Sequence, residues 1–211
     1  MLKRTFDVLF ASAVILFLFP WLFPLIAAAI KWTSEGPVLF KQMRRGRNQR
    51  PFICYKFRSM IESPGVVDNG KFQQVTADDP RVTRVGRFLR RRHLDELPQF
   101  VNVLRGEMSV VGPRPHPIAL DRELESQIPS YGRRYLVRPG LTGLAQIRGW
   151  DEASSLEERQ KRAEHDLWYI EHRTFWLDLS IVGLTFRQVF FLSIAPRPEG
   201  GLDGSPTSSP S

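Results

Sequence analysis

Residues Val8 to Ile30 form a run of 23 residues without a charged side chain. As a straight helix rising about 1.5 Å per residue, the run would reach across the hydrocarbon core of a bilayer. Three readings compete. A secretory signal would use Lys3 and Arg4 as its basic head and Ala27-Ala28-Ala29 as a cleavage site. The apolar stretch is too long for that, and Pro20 and Pro24 sit within it. A spanning helix conflicts with its flanks. Lys3 and Arg4 precede the run, and Lys31, Lys41, Arg44 and Arg45 follow it, so both ends carry the charge that belongs on the cytoplasmic side. A re-entrant helix resolves the conflict. Pro20 removes a backbone donor and crowds the preceding turn, and Pro24 repeats the effect one turn later. A helix broken at Pro20 enters and leaves by the same face. Its freed backbone groups then need partners, for which Thr5 and Ser12 are at hand.

The rest of the 211 residues suffices for one compact domain. Lys and Arg outnumber Asp and Glu by 30 to 22, which points to an anionic partner: phospholipid headgroups, nucleotide phosphates or nucleic acid. Cys54 is the single cysteine, which excludes an intramolecular disulfide and a multi-cysteine metal site and fits a reducing compartment. There is no Walker loop and no Gly-x-Gly-x-x-Gly, and Asp78-Asp79 is not an Asp-x-Asp motif. His93, His116, His165 and His172 lack metal spacing, which argues against zinc; His93 and His116, near arginines, read as structural.

Two short strands are expected at Val38-Leu39-Phe40 and Phe52-Ile53-Cys54-Tyr55, joined by the basic turn Arg44-Arg45-Gly46-Arg47-Asn48. Ser63 to Asp79 reads as a polar loop. Helices are expected over Val85–Leu94, Pro98–Leu104 with a stop at Gly106, Ile118–Ile128 and Leu156–His172, the last burying Leu167, Tyr169 and Ile170. Val110 to Pro117 holds three prolines and must be rigid. Arg138 to Gly149 reads as a glycine-punctuated turn or strand. Phe175 to Leu192 suits either a membrane surface or the core. Ala195 to Ser211 has the composition of a disordered tail.

Asp95-Glu96 follows five arginines, Arg84, Arg87, Arg90, Arg91 and Arg92, and precedes Pro98, a residue suited to a first helical turn. An aspartate kept ionised among arginines can attack phosphorus; the same pair also suits a helix cap with salt bridges. Asp95 is a candidate Mg²⁺ ligand, because Mg²⁺ often takes one or two protein carboxylates together with substrate phosphates. Lys56 and Arg58 alternate along one strand face. Arg114, between Pro113 and Pro115, is pinned as a bidentate phosphate clamp would be. Arg138 precedes Pro139-Gly140-Leu141-Thr142-Gly143, whose amides could receive phosphate. Each arginine taken alone also reads as a surface residue beside a turn.

These segments resemble, in order, the bacterial sugar transferases, the monotopic polyprenyl-phosphate phosphoglycosyl transferases. The resemblance is carried by Lys3-Arg4 with Asp7, by Pro20, by Tyr55-Lys56-Phe57-Arg58-Ser59-Met60 and by Leu94-Asp95-Glu96-Leu97-Pro98-Gln99. It continues through Asn102 to Ser109, Val111-Gly112-Pro113-Arg114-Pro115 and Arg138 to Gln146. It implies an α+β, mostly helical monotopic domain with a re-entrant helix, a short hairpin and interfacial amphipathic helices. The expected segments are a membrane element at 1–34, a catalytic domain at 35–194 and a tail at 195–211. The chain starts at the re-entrant helix, so the minimal form of the family is expected. The resemblance also implies Mg²⁺ dependence and a site on the cytoplasmic face of the bacterial inner membrane. Asp95 would attack the β-phosphorus of a UDP-sugar and release UMP, and polyprenyl phosphate, undecaprenyl phosphate in particular, would then take the phosphosugar. Glu96 would act as base or place the metal, and Arg58, Arg114 and Arg138 would contact phosphates. Gln146 to Trp150 and Glu164 to Ile170 resemble the hexose-1-phosphate branch of exopolysaccharide and O-antigen synthesis, which implies glucose or galactose.

Two rivals stand beside this reading. The arginine runs would suit a nucleic-acid binder, against which the apolar run argues. A non-catalytic membrane scaffold of a polysaccharide assembly complex would make Asp95 dispensable. Oligomeric state is left open, a homo-oligomer included.

Overall fold

The computed structural model describes residues 2–61, 79–151, 153 and 155–191. The tail expected over Ala195–Ser211 and nearly all of the loop expected over Ser63–Asp79 lie outside them. The fold mixes helix and sheet and is 62% helical, in line with the α+β, mostly helical expectation.

Helix α1 (Leu2–Thr33) runs unbroken through Pro20 and Pro24. The break expected at Pro20 is therefore not present in the helix. The two prolines are four residues apart, so the donors they lack fall on one face and the helix continues on the others. The Trp21 indole donates to the Phe17 carbonyl at 2.7 Å, beside the Leu16 carbonyl that Pro20 leaves without a ladder donor.

At 32 residues the helix is about 48 Å long, yet only Asp7, Ala11, Ile26 and Ile30 are buried. Leu9, Leu16, Phe17, Trp21 and Leu25 are each more than half exposed, so this is not the core helix of a soluble protein. Both of its ends pack on the same body. Phe6, Phe10 and Ala11 join the main core around Val103, Met108 and Ile181. Ile26 and Ile30 pack with Phe57 and Leu89, and the Phe23 and Phe57 rings lie 4.9 Å apart.

Polar groups fasten the N-terminal end. Asp7 accepts from Ser109 Oγ at 3.0 Å and from the Val110 amide at 2.9 Å. Arg4 donates to the carbonyls of Val103 and Leu104 at 2.6 and 2.9 Å. Lys3 pairs with Asp178 at 2.7 Å and donates to the Val111 carbonyl at 3.0 Å. The two cations that the sequence offers to headgroups are thus engaged inside the protein.

Strands β1 (Leu39–Arg45) and β2 (Pro51–Phe57) form an antiparallel hairpin with Leu39 opposite Phe57 and Arg45 opposite Pro51. Arg44 and Arg45, expected in the turn, lie in β1. Arg44 is buried and donates to the Pro115 carbonyl, and Arg45 pairs with Glu125 at 2.6 Å. The reversal falls instead on Asn48 and Gln49, at φ 56 and 60.

Helix α2 (Arg84–Arg91) follows, then a 3-10 turn at Leu94–Glu96 and α3 (Gln99–Arg105). His93, at φ 53, ends the helix expected to reach Leu94. Strand β3 (Ser109–Val111) pairs in parallel with β4 (Gly140–Thr142), and α4 (Ile118–Gln127) lies in the connection. A Cβ on Gly140 would sit 2.1 Å from the Gly112 amide nitrogen, so this approach requires glycine. The stretch expected as turn or strand continues into α5 (Leu144–Ile147).

Helix α6 (Leu156–His172) has the expected bounds and starts on a capping box of Ser155 and Glu158. Of the positions expected to be buried, Tyr169 is, while Leu167 and Ile170 are half-buried; Arg162, Ala163 and Asp166 are buried as well. Helix α7 (Phe175–Phe191) has two faces: Asp178 and Ile181 are buried, while Trp176 and Phe186 lie bare.

The Asp7 bonds generate a stability prediction. Asp7→Ala orphans the buried Val110 donor, a loss of about 1–3 kcal/mol. A lower unfolding temperature in detergent is expected, and an unchanged one would show that this contact does not fasten α1.

Candidate active site

The Leu94–Glu96 turn buries two adjacent carboxylates in unlike surroundings. Glu96 lies under two cations. Lys56 Nζ donates to its Oε1 at 2.5 Å, Arg114 NH2 to Oε1 at 2.7 Å and Arg114 NH1 to Oε2 at 2.9 Å. Asp95 has no hydrogen bond or ion pair to its carboxylate among the described residues, and it faces a cavity of about 690 Å³. Lys56, Arg58, Arg90, Arg114 and Arg162 also line that cavity. It has the size of a small-molecule site and the charge of one for a phosphate ester.

Burial pushes the Asp95 carboxyl up, opposed by Lys56 and supported by the Glu96 charge. Burial acts on Glu96 in the same sense, but Arg114 and Lys56 outweigh it and hold Glu96 well below the usual carboxylate range. Two neighbouring carboxyls driven apart in this way commonly hold separate roles.

The clamp is itself held. Arg134 donates to the Arg114 carbonyl at 2.8 Å and is paired with buried Asp166 through Nε at 2.9 Å. Tyr131 donates to Asp121 at 2.8 Å and accepts from Arg134 at 2.7 Å. Arg90, from α2, donates to Ser59 Oγ at 3.0 Å, which ties the arginine-rich helix to the end of β2.

The structure brings Asp95, Glu96, Lys56 and Arg114 together. Arg58 lines the cavity too, but its guanidinium donates to the Ser34 and Glu35 carbonyls at the end of α1. Arg138 stands elsewhere. Its Nε donates to the Gly106 carbonyl at 2.7 Å, and it is not among the cavity residues. The amides expected to receive phosphate beside it include some already committed to the β3–β4 pairing, Gly140 N donating to the Pro113 carbonyl at 2.9 Å. Arg134, Arg162 and Asp151 were not evident as site residues. The one signal, for Arg162 alone, is that Arg162, Asp166 and Tyr169 share a face of α6, a polar pattern where an apolar one is expected.

No cluster of three or more His, Cys, Asp or Glu side chains suited to a metal occurs among the described residues. Asp95, with its oxygens free in the cavity lined by Lys56 and Arg114, nevertheless fits the single-carboxylate manner in which Mg²⁺ joins a protein to a phosphate substrate.

Residues 1–192 match the family model described as bacterial sugar transferase. The chain belongs to the bacterial sugar transferase family. It is 49% identical over 185 residues, 87% of its own length, to a protein of Klebsiella pneumoniae named UDP-glucose:undecaprenyl-phosphate glucose-1-phosphate transferase, of which the match covers 39%. It is 41% identical to the UDP-N-acetylgalactosamine-undecaprenyl-phosphate N-acetylgalactosaminephosphotransferase of Aeromonas hydrophila, over 89% of this chain and 43% of that one. It is 42% identical to the exopolysaccharide production protein PSS of Rhizobium leguminosarum bv. phaseoli, over 86% of this chain and 91% of the relative. The chain spans about two-fifths of the length of the first two of these relatives. Of the residues singled out in the sequence, Asp95, Lys56, Arg58 and Arg114 line one cavity, while the Gly140–Thr142 segment that follows Arg138 pairs with β3.

The unlike carboxylates generate opposite predictions. Asp95 has a raised pKa, so its stabilising form is the protonated one, and stability from it is lost as pH rises through its folded value. Glu96 has a depressed pKa, so its contribution is present above its ordinary 4.5 and is lost as pH falls through its folded value. At neutral pH, Asp95→Asn is expected to raise the unfolding temperature, by about 2–4 °C for each kcal/mol recovered. Glu96→Ala, which removes the carboxylate shared by the part-buried Lys56 and Arg114, is expected to cost about 3–5 kcal/mol. Thermal unfolding of both variants checks this, and equal shifts would contradict the asymmetry.

Proposed function

We propose that this chain transfers a hexose 1-phosphate, glucose before galactose, from a UDP-sugar to polyprenyl phosphate, undecaprenyl phosphate in particular, as an initiating step of exopolysaccharide or O-antigen synthesis. The observation that carries the reading is the unpartnered Asp95 carboxylate beside a neighbour clamped by Lys56 and Arg114. The names of the relatives, which pair undecaprenyl phosphate with glucose or N-acetylgalactosamine donors, support it.

In the proposed reaction an Asp95 oxygen attacks the β-phosphorus. The new oxygen–phosphorus bond forms as the bond from that phosphorus to the bridging oxygen breaks, and UMP leaves with the bridging oxygen. An oxygen of the polyprenyl phosphate then attacks the same phosphorus. The bond to Asp95 breaks, the carboxylate returns and polyprenyl diphosphate-sugar is the product. Lys56 and Arg114 face the phosphates, and Glu96, with three donors on its two oxygens, orients them. Mg²⁺, held by Asp95 and the donor phosphates, would neutralise charge on the diphosphate.

We further propose that residues 1–34 form a re-entrant membrane element, entering and leaving by one face without a break of the helix at Pro20, and 35–194 a catalytic domain on the cytoplasmic face of the inner membrane, against anionic phospholipid. Support comes from α1 itself: both ends pack on the same body, whereas a spanning helix would carry one end to the far side. Labelling a single cysteine placed at Leu2, with Cys54 replaced, tests this. Access from the cytoplasmic side is expected, and access only from the other side would overturn the topology.

The reaction is tested by UMP release in nanodiscs with undecaprenyl phosphate and Mg²⁺ across a panel of UDP-sugars. Wild type should release UMP and Asp95→Asn should not. Normal turnover by Asp95→Asn would sink the covalent step, and no release from folded wild type would favour the scaffold reading.

A further inference from the structure

Beyond Arg114 the cavity continues to a second pair of opposite charges that the reaction above does not use. Asp151 Oδ1 lies 3.2 Å from Arg114 Nε and 3.8 Å from Arg162 NH2. Arg162, on α6, is only 7% exposed. Its NH1 donates to the Asp151 carbonyl at 3.1 Å, while its Nε and NH2 are buried without a hydrogen-bond partner among the described residues. Asp151 Oδ1 is buried and likewise without a hydrogen bond. Both side chains line the large cavity. A carboxylate with acceptor capacity and a guanidinium with donor capacity therefore stand side by side at its wall, and buried polar groups left open in this way call for a ligand. Burial, aided by Arg114 and Arg134 and opposed by Asp151 and Asp166, draws Arg162 down to about 10, which leaves it charged at neutral pH.

The chemistry of a UDP-hexose selects which part of the donor belongs there. The phosphates belong at the reacting end, beside Asp95, Lys56 and Arg114. Adjacent hydroxyls each donate and accept, so a carboxylate beside a guanidinium is their complement. The hexose is bonded to the phosphorus that Asp95 attacks, so its ring must lie next to the phosphate clamp. Arg114 spans that interval, with NH1 and NH2 on Glu96 and Nε on Asp151. Of the other carboxylates lining the cavity, Asp95 is the reacting group and Glu35 lies at the end of α1. We infer that Asp151 and Arg162 form the subsite that reads the hydroxyls of the donor hexose, a specificity role that rests on the transfer reaction proposed above.

The test compares wild type, Asp151→Asn and Arg162→Gln in nanodiscs with undecaprenyl phosphate and Mg²⁺. For each, kcat/KM is measured with UDP-glucose, UDP-galactose and UDP-N-acetylgalactosamine, together with inhibition by UMP. Each variant is expected to change the ratio of kcat/KM between donors by about ten-fold or more, while inhibition by UMP, which lacks the hexose, stays as in wild type. A common loss for every donor, or weakened UMP inhibition, would overturn the inference and leave Asp151 as a support for Arg114. If Arg162→Gln does not fold, Asp151→Asn decides. If wild type turns over no donor, the transfer reading fails, and displacement binding decides the subsite. UDP-glucose held more tightly than UDP by wild type but not by Asp151→Asn supports it, and equal affinities in wild type overturn it.

Discussion

Glu96 holds the site together. Its carboxylate is met by Lys56 from β2 and Arg114 from the Gly-Pro-Arg-Pro segment, so one side chain joins three stretches of chain far apart in sequence. Without it, Lys56 would lose its carboxylate partner and Arg114 would keep only Asp151. A buried ion cluster is weak evidence for net stability, because desolvation opposes the attraction. Its clearer consequence is geometric. Asp95 is the residue immediately before it, joined by one planar peptide, so fixing Glu96 restricts where Asp95 can present its oxygens. The partners that satisfy one carboxylate leave the other without any, and the unpaired state of Asp95 follows from the pairing of Glu96.

That arrangement would be loose if Arg114 could swing. Prolines on both sides restrict its backbone, and hydrogen bonds complete the restraint. Arg134 holds the Arg114 carbonyl and Arg44 the Pro115 carbonyl. Arg134 is in turn set by Asp166 from α6. The clamp is thus oriented by a second layer of charge, Arg134 and Asp166 outside the cavity lining and Arg44 within it, and such support lets a site keep its geometry as charge develops.

The legible part of this was local. Asp95-Glu96 before Pro98, Lys56 on its strand and Arg114 between prolines could be read because the neighbouring residues state the constraint. The bounds of α6 were legible because Ser155 and Glu158 cap it. What could not be read was long-range partnership. Nothing near Arg138 shows that the Gly140 amide donates to the Pro113 carbonyl or that the Thr142 carbonyl accepts from the Gly112 amide, and nothing near Arg134 shows that it supports Arg114 from 20 residues away. Arg44 looked like a turn residue because its buried carbonyl partner lies 71 residues on. The prolines misled for a different reason: each missing donor costs one ladder bond, and the bonds on the other faces carry the helix through it.

The same distinction bears on α1. Lys3 and Arg4 counted as membrane-flanking charge, yet Lys3 is neutralised by Asp178 and Arg4 lies on backbone carbonyls of α3. The charge argument for topology is weaker once these contacts are known, and a structural argument takes its place. Asp7, Arg4 and Lys3 cannot leave their partners without stranding buried polar groups, so the N-terminal end of the apolar helix cannot move independently of β3, α3 and α7. At the other end Phe23, Ile26 and Ile30 are packed on β2 and α2, the elements that carry Lys56 and Arg90. On the membrane placement proposed above, Asp95 is held at a fixed distance from the bare middle of α1, and the helix would set the depth at which a lipid-borne phosphate meets it.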